Sequence, residues 1–155
     1  MQCKLFTPSS IAAYGFRNLD QRENVNEMTF QRPETIYGIM KIFVELMGNY
    51  MKYKRCIDFR SLRYPGVLSS IMPDGGTTDY AIEMMYSAIQ NKDFSCYIQK
   101  DIALPFLYID DLISETIRFL EADQSQLQYT AYSLGNFSIT PEELYNTIKK
   151  SYPNF

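Results

Sequence analysis

The chain has 155 residues, of which 46% are hydrophobic and 21% charged, with a net charge of −3. Composition of this kind is ordinary for one modest globular domain. The absence of a basic block argues against nucleic-acid binding, and charges interrupt the apolar runs that a membrane span would need. The chain has no histidine, and Cys3, Cys56 and Cys96 are widely spaced, so we expect no metal site, disulfide framework or histidine-dependent catalysis.

The first half of the chain predicts a strand, a helix and a second strand. Residues 3–7 read as a short strand and residues 17–32 as a polar loop. A helix follows from about 36 to 54, with Pro33 expected in its first turn, and residues 57–64 form the next strand. Strands joined through a helix run parallel, so we predict a parallel sheet. The helix carries an apolar stripe that we interpret as core or subunit interface, comprising Ile36, Ile39, Met40, Phe43, Leu46, Met47 and Tyr50.

The second half alternates between turns, helices and short strands. A turn over 73–79 precedes a helix over about 79–90, whose apolar face carries Ile82, Met85, Tyr86 and Ile89. Strands are predicted over 95–99, 106–109 and 129–134, and a helix begins at Asp110. Thr140-Pro141-Glu142-Glu143 is a strong helix start, because threonine can cap the helix and a glutamate at the third position completes a capping box.

Tyr37 and Lys41 are the first candidates for chemistry. Residues four apart project from the same side of a helix, and a nearby ammonium stabilises a phenolate enough for tyrosine to act as a base. The same spacing occurs at Tyr50/Lys54 and Tyr145/Lys149. A lysine stem covering an aromatic ring explains such pairs equally well, so context must choose between them.

A parallel sheet raises the question of a nucleotide. Dinucleotide-binding folds carry a glycine-rich turn after the first strand, with the pattern G-x-G-x-x-G. None of the seven glycines of this chain is arranged in that way. The sequence by itself therefore lacks a phosphate cradle.

Several motifs together resemble one enzyme family. The segment 8–15 is similar to the strand end that carries the catalytic Ser or Thr of extended short-chain dehydrogenases/reductases, and 36–41 to their Tyr-x-x-x-Lys helix. Residues 62–66 resemble the strand end beside the nicotinamide, and 108–111 a recurrent strand-to-helix junction. The runs Gln31-Arg32-Pro33, Gly75-Gly76-Thr77-Thr78-Asp79-Tyr80-Ala81 and 137–144 resemble the NAD-dependent L-threonine 3-dehydrogenases, which are related to UDP-galactose 4-epimerase.

The resemblance implies an α/β fold: the C-terminal part of a Rossmann-like doubly wound parallel sheet with a small substrate-binding subdomain. The whole chain, 1–155, would be a partial epimerase/dehydratase-like domain, with the end of the sheet over about 1–68 and a mainly substrate-binding part over about 69–155. Family members have a further N-terminal nucleotide-binding half and a C-terminal segment, so we expect this chain to be a fragment that neither binds NAD measurably nor turns over threonine alone.

The resemblance also implies roles for individual residues. Tyr37 would deprotonate the threonine β-hydroxyl while hydride leaves for NAD, giving 2-amino-3-oxobutanoate, and Lys41 would assist Tyr37 and bind the nicotinamide ribose. Ser10, with Ser9 as the alternative, would bond the reacting oxygen. The backbone of Tyr64, Pro65 and Gly66 would lie against the nicotinamide, and Thr77, Thr78 and Asp79 would contact the amino acid.

Less specific interpretations remain open at this point. Ser9 and Ser10 could simply end a strand, Thr77 to Asp79 and Asp110-Asp111 could be helix caps, and Arg63 could serve structure or substrate. Alternative functions are a nucleotide-sugar epimerase/dehydratase, or a non-catalytic remnant that pairs with an intact subunit. The resemblance implies a homodimer and a mitochondrial location in a eukaryote, otherwise a cytoplasmic one, although no targeting peptide is recognisable.

Overall fold

The fold is described from a computed structural model and covers residues 3–15, 25–54 and 57–155. The predicted loop over 17–32 lies partly outside these ranges, and Cys56 lies outside them. In chain order the elements are β1 (Cys3–Ser10), α1 (Ile36–Tyr53), β2 (Ile57–Tyr64), β3 (Gly66–Leu68), α2 (Tyr80–Ile89), β4 (Leu104–Tyr108), α3 (Ile109–Glu121), β5 (Ala131–Ser133), β6 (Phe137–Ile139) and α4 (Pro141–Ser151). Short 3₁₀ turns lie at Ile11–Ala13 and Gln124–Gln126.

The chain folds into two compact units, each made of two segments. Unit 1 comprises Met1–Pro65 and Ile113–Leu134, and unit 2 comprises Gly66–Leu112 and Gly135–Phe155. These units are defined by contacts and not by what they bind. The functional division at about residue 68 therefore stays a prediction.

Unit 1 contains a parallel sheet in the order β1-β2-β5. Its central strand β2 is almost entirely buried because it has helical segments on both faces. Arg63 of β2 pairs with Glu45 of α1, whereas Arg60 points the other way and donates to the Phe119 and Leu120 carbonyls of α3. The predicted α/β fold with a Rossmann-like, doubly wound parallel sheet is confirmed.

Unit 2 is built on a second, mixed sheet in the order β3-β4-β6. Strand β3 runs parallel to β4, and β6 runs antiparallel to it. Helices α2 and α4 supply most of the core that packs beside Phe106 of β4. The buried core consists of Tyr80, Ala81, Met84, Ala88, Phe106, Leu144 and Ile148.

The start of α1 differs from the sequence prediction. Thr35 is the N-cap, and its Oγ1 accepts a hydrogen bond from the Gly38 amide at 3.1 Å. Pro33 therefore precedes the helix, and its predicted place in the first turn is wrong. Strand β1 also continues beyond Thr7 to Ser10, because among the described strands it pairs on one side, with β2, and an edge strand tolerates Pro8.

In unit 2 the structure differs from the sequence prediction in its short strands and in part of α2. The predicted strand over 95–99 is irregular, and β3 and β6 were missed because three-residue strands carry almost no periodic signal. The buried residues of α2 are Tyr80, Ala81, Ile82, Met84 and Ala88. Of the predicted apolar face, Ile82 is buried and Met85 packs against the core, whereas Ile89 is exposed. The capping box is confirmed, since the Thr140 and Glu143 side chains each bond the other's backbone amide.

The apolar stripe of α1 is not part of the core of this chain. The face of α1 that packs inward uses Gly38, Glu45 and Gly48, and a Cβ at Gly38 would lie 2.4 Å from the Ala12 carbonyl oxygen. The stripe points outward: Ile36 is 77% exposed, Phe43 55% and Leu46 61%. Within the described residues, no helix combines the length and apolar character needed to cross a membrane.

Candidate functional site

The candidate site begins where β1 and β2 end together. Their register pairs Ser10 with Tyr64, so the carboxyl ends of the two parallel strands meet at one edge of the sheet. The Ser10 hydroxyl caps the following 3₁₀ turn and accepts a hydrogen bond from the Ala12 amide at 3.2 Å. In open α/β sheets, this edge is where ligands bind.

Tyr37 and Lys41 lie on α1 beside this strand end. The Lys41 ammonium is 5.1 Å from the centre of the Tyr37 ring, and Nζ donates to the Pro8 carbonyl at 2.7 Å. Lys41 therefore connects the Tyr37 side chain to the strand that carries Ser10. Tyr37 itself is 57% exposed, so its ring is accessible from outside the chain.

The other two Tyr/Lys pairs adopt the same local arrangement. Lys54 lies 5.6 Å from the Tyr50 ring centre, and Lys149 lies 5.1 Å from that of Tyr145. Four-residue spacing is enough to produce this contact, so the contact does not distinguish a catalytic pair. The bond from Lys41 to Pro8 is what links the Tyr37 pair to a strand end.

A buried charge network lies behind Ser10. Glu45 of α1 is 5% exposed, and Arg63 of β2 is 4% exposed. The Arg63 Nη2 atom is 2.8 Å from Glu45 Oε2, and Ser9 and Gln31 also donate to the Glu45 carboxylate, Ser9 at 2.5 Å. The structure thus decides the question left open for Arg63, which is held in an internal ion pair, and it places the alternative Ser9 in the same network.

The network keeps both charges. Burial raises the pKa of Glu45, but hydrogen bonds from Arg63, Ser9 and Gln31 and the charge of Arg63 outweigh it, so the pKa ends below its usual value. Burial lowers the pKa of Arg63, and the bonds to Glu45 and the charge of Glu45 more than reverse that effect. Glu45 is therefore a carboxylate at neutral pH, and every partner it has in the network is a donor.

Tyr14 extends the network to the third strand of unit 1. Its hydroxyl accepts from Arg63 Nη1 at 2.7 Å and lies 2.6 Å from the Ser133 hydroxyl of β5. The Arg63 guanidinium also lies 4.9 Å from the centre of the Tyr14 ring. Side chains from β1, α1, β2 and β5 are therefore joined through Glu45, Arg63 and Tyr14.

The predicted nicotinamide-side residues are divided along the chain between the two units. Tyr64 and Pro65 belong to unit 1, where the Tyr64 hydroxyl bonds Thr116 at 2.8 Å. Gly66 begins β3 of unit 2, and a Cβ there would lie 2.8 Å from Cβ of Thr78. Within unit 2 the structure thus brings together one predicted cofactor residue and one predicted substrate residue.

The turn before α2 is organised by Asp79. Its carboxylate accepts from the Gly75 amide at 3.0 Å and also from the Gly76 amide. Gly75 has φ +100, a backbone conformation that glycine adopts without strain. Thr77 is exposed and Thr78 half-buried, so the turn presents one threonine to its surroundings and tucks the other against Gly66.

Tyr80 follows this turn and is fully buried. Burial, with smaller contributions from Cys96 and Tyr97, raises its pKa to about 12. Among the described residues its hydroxyl has no hydrogen-bond partner. Tyr80 therefore stays neutral at physiological pH and serves the core, with its ring edge-on to Phe106 at 6.0 Å.

Sequence reasoning missed Glu45 and Tyr14, but a signal for Glu45 was present. Glu45 is the single acidic residue within α1 and comes four residues after Lys41, so these two side chains are neighbours on the helix. A lone carboxylate on the packed side of a helix needs a cation. Arg63, the next-to-last residue of a buried strand, was the available one.

The chain is similar to known proteins of one family. The profile of the NAD dependent epimerase/dehydratase family matches residues 1–135. The chain belongs to this family. Among curated members, mitochondrial L-threonine 3-dehydrogenase of Bos taurus is 42% identical over 151 residues, which is 97% of this chain and 40% of the bovine protein.

Solved structures of the same kind superpose on the fold. L-threonine dehydrogenase from Phytophthora infestans has a TM-score of 0.87 and 38% identity, over 98% of this chain and 49% of that one. The holo form of the GalE-like L-threonine dehydrogenase from Cupriavidus necator has a TM-score of 0.91 and 33% identity, with 98% and 49% coverage. This epimerase/dehydratase-family chain therefore spans about half the length of the relatives it matches or less.

Proposed function

We propose that this chain carries the tyrosine–lysine part of an NAD-dependent L-threonine 3-dehydrogenase. The observation that carries the proposal is the bond from Lys41, beside Tyr37, to the Pro8 carbonyl, two residues before Ser10. The similarity to L-threonine 3-dehydrogenases supports L-threonine as the substrate and 2-amino-3-oxobutanoate as the product.

In this proposal each side chain acts on one atom of the substrate. The Tyr37 phenolate oxygen takes the proton of the threonine β-hydroxyl, and the Lys41 ammonium, held by Pro8, stabilises that phenolate electrostatically. Ser10 donates a hydrogen bond to the same substrate oxygen and so holds it in line with Tyr37. The carbon that bore the hydroxyl becomes a carbonyl carbon as its hydrogen departs with two electrons.

The residues present fit the nicotinamide end of NAD. An ammonium has three N–H donors, and the bond to Pro8 uses one of those on Lys41, so Lys41 can also donate to a ribose hydroxyl. The backbone of Tyr64, Pro65 and Gly66 follows the same strand end. NAD, when bound, supplies the acceptor for the hydride.

We further propose that Thr77, Thr78 and Asp79 contact the amino acid. Thr77 is exposed and small, and the two glycines before it allow close approach of the backbone. The Asp79 carboxylate already accepts two amide hydrogens. A charged carboxylate has about four acceptor positions in all, so it can also receive the substrate ammonium.

The experiment uses the bovine enzyme as a host. We define the completed chain as bovine L-threonine 3-dehydrogenase in which this chain replaces the segment that it matches. Tyr37→Phe should abolish threonine-dependent NAD reduction by the completed chain, because it removes the proton acceptor with little change in shape.

Tyr50→Phe is the matched control, since Tyr50 has the same lysine contact on the same helix and should leave turnover unchanged. Loss of turnover in Tyr50→Phe with activity kept in Tyr37→Phe would reverse the assignment. Turnover of a UDP-sugar and not of threonine would favour the epimerase/dehydratase alternative. The 155-residue chain alone is expected to bind no NAD measurably by calorimetry.

We also propose that the protein is mitochondrial if its source is a eukaryote and cytoplasmic otherwise.

The apolar stripe of α1 is proposed to form a homodimer interface. Seven apolar side chains of the stripe are 45–77% exposed, and exposed apolar patches mark interaction surfaces. Phe43→Lys should convert the dimer to a monomer in sedimentation velocity. A wild-type completed chain that sediments as a monomer would contradict the dimer.

A further inference from the structure

We propose that Glu45 and Arg63 are positioning residues that hold Ser10 and Lys41 in register at the strand end. This inference rests on the proposed function for its catalytic consequence, but its geometric part concerns the chain alone. The juxtaposition that carries it is one buried carboxylate on α1 that receives hydrogen bonds from both Ser9 of β1 and Arg63 of β2.

The first step concerns the helix. Tyr37, Lys41 and Glu45 follow each other at four-residue intervals, so they form one row along α1 that leads from an exposed position to a buried one. Glu45 is the innermost of the three at 5% exposed, whereas Tyr37 is 57% exposed. A fixed Glu45 therefore sets how far α1 is shifted along and rotated about its axis, and with it the positions of the other two side chains.

The second step concerns the strands. Ser9 and Arg63 are directly paired across β1 and β2, and both donate to the same carboxylate. The residue after Ser9 is Ser10, and its hydroxyl accepts from the Ala12 amide. The carboxylate thus fixes the strand end immediately before the residue proposed to bond the substrate oxygen.

The third step is that the carboxylate cannot be replaced by an amide. Glu45 Oε1 accepts from Ser9 and from Arg63 Nε, and Oε2 accepts from Gln31 and from Arg63 Nη2. Arginine nitrogens cannot accept a hydrogen bond. In either orientation of a glutamine at position 45, its NH₂ group faces an Arg63 N–H donor. The hydrogen bond from that Arg63 nitrogen is then lost.

The chain provides a matched control in the same strand. Asp58 and Arg60 of β2 form a second buried ion pair, also 2.8 Å apart, with 6% and 1% exposure. Asp58 is paired with Lys4 of β1, six residues before Ser10, which is roughly 20 Å along a strand. Asp58→Asn therefore disturbs the same kind of ion pair far from Ser10.

The test combines two readouts. In the 155-residue chain, amide hydrogen exchange of Ala12, followed by NMR, reports whether the Ser10 hydroxyl keeps its place. Glu45→Gln should accelerate this exchange about tenfold relative to Asp58→Asn, because a local opening is added to global unfolding. In the completed chain, Glu45→Gln should lower kcat at least about tenfold with KM for threonine within about threefold, the pattern of misaligned reacting groups.

Ser9→Ala is the second variant, in case Glu45→Gln does not fold, because it removes one hydroxyl and should change both readouts in the same direction. Equal Ala12 exchange in Glu45→Gln and Asp58→Asn, or an equal loss of kcat in both, would overturn the inference. Unchanged readouts in Ser9→Ala would overturn it as well. If the unsubstituted completed chain does not oxidise threonine, the proposed function fails, and the exchange measurement still decides the positioning role.

Discussion

Gly38→Ala tests the close approach of α1 to the turn after Ser10. Alanine at a helix interior position is favoured over glycine by about 1 kcal/mol, so propensity alone predicts a more stable protein. In the structure, however, a Cβ at Gly38 would lie 2.4 Å from the Ala12 carbonyl oxygen and 2.8 Å from Cβ of Pro33. The carbonyl belongs to the backbone of the turn after Ser10, so it cannot rotate away.

The steric cost should outweigh the gain in propensity. Overpacking of this kind costs about 1–3 kcal/mol, and a rigid backbone neighbour favours the upper end of that range. We expect a net loss of about 2 kcal/mol in the free energy of unfolding, which is about 4–8 °C in Tm for a chain of this size. Urea denaturation followed by far-ultraviolet circular dichroism measures it.

Gly135→Ala is the matched control, because no atom lies within 4 Å of a Cβ at that glycine. Its stability should stay within about 0.5 kcal/mol of the unsubstituted chain. If Gly38→Ala is as stable as the unsubstituted chain or more stable, the higher helix propensity of alanine outweighs any steric cost at position 38. That result would contradict the argument that α1 and the turn after Ser10 are too close for a Cβ at position 38.

Three further predictions concern other parts of the chain. In the completed chain, Thr77→Val or Thr78→Val should raise KM for threonine several-fold, which corresponds to the loss of about one hydrogen bond, and should leave KM for NAD unchanged. A change in KM for NAD alone would assign this turn to the cofactor instead. Thr140→Ala should cost about 1 kcal/mol, because it removes the cap and the capping box of α4, whereas Thr147→Ala, later in the same helix, should cost less in the same denaturation assay. The pKa of Glu45 is lowered in the folded state, so its contribution to stability is present above its unfolded value of about 4.5 and is lost as pH falls through the folded pKa. Glu45→Gln should therefore flatten the acid side of the plot of unfolding free energy against pH. Parallel plots for Glu45→Gln and the unsubstituted chain would contradict the ion pair.

The sequence by itself determined those features that depend on neighbours along the chain. The capping box at Thr140 and Glu143 spans four residues and forms as predicted. The strand over 57–64 has the predicted bounds, because a run with apolar residues at 57, 59, 62 and 64 ends at a proline. The spacing of Tyr37 and Lys41 brought the ammonium to the ring, as it did at the two other pairs.

The tertiary structure alone decided which of these local features carry a site. The bond from Lys41 to Pro8 joins residues 33 apart in the chain, the bond from Ser9 to Glu45 joins residues 36 apart, and that between Tyr14 and Ser133 joins residues 119 apart. No local preference encodes such a pairing, because the two partners come within hydrogen-bond distance only once the sheet and α1 have packed together. The outward direction of the α1 stripe has the same origin: the periodicity marked an apolar face, but the small residues Gly38 and Gly48 gave the opposite side of the helix the closer fit to the sheet.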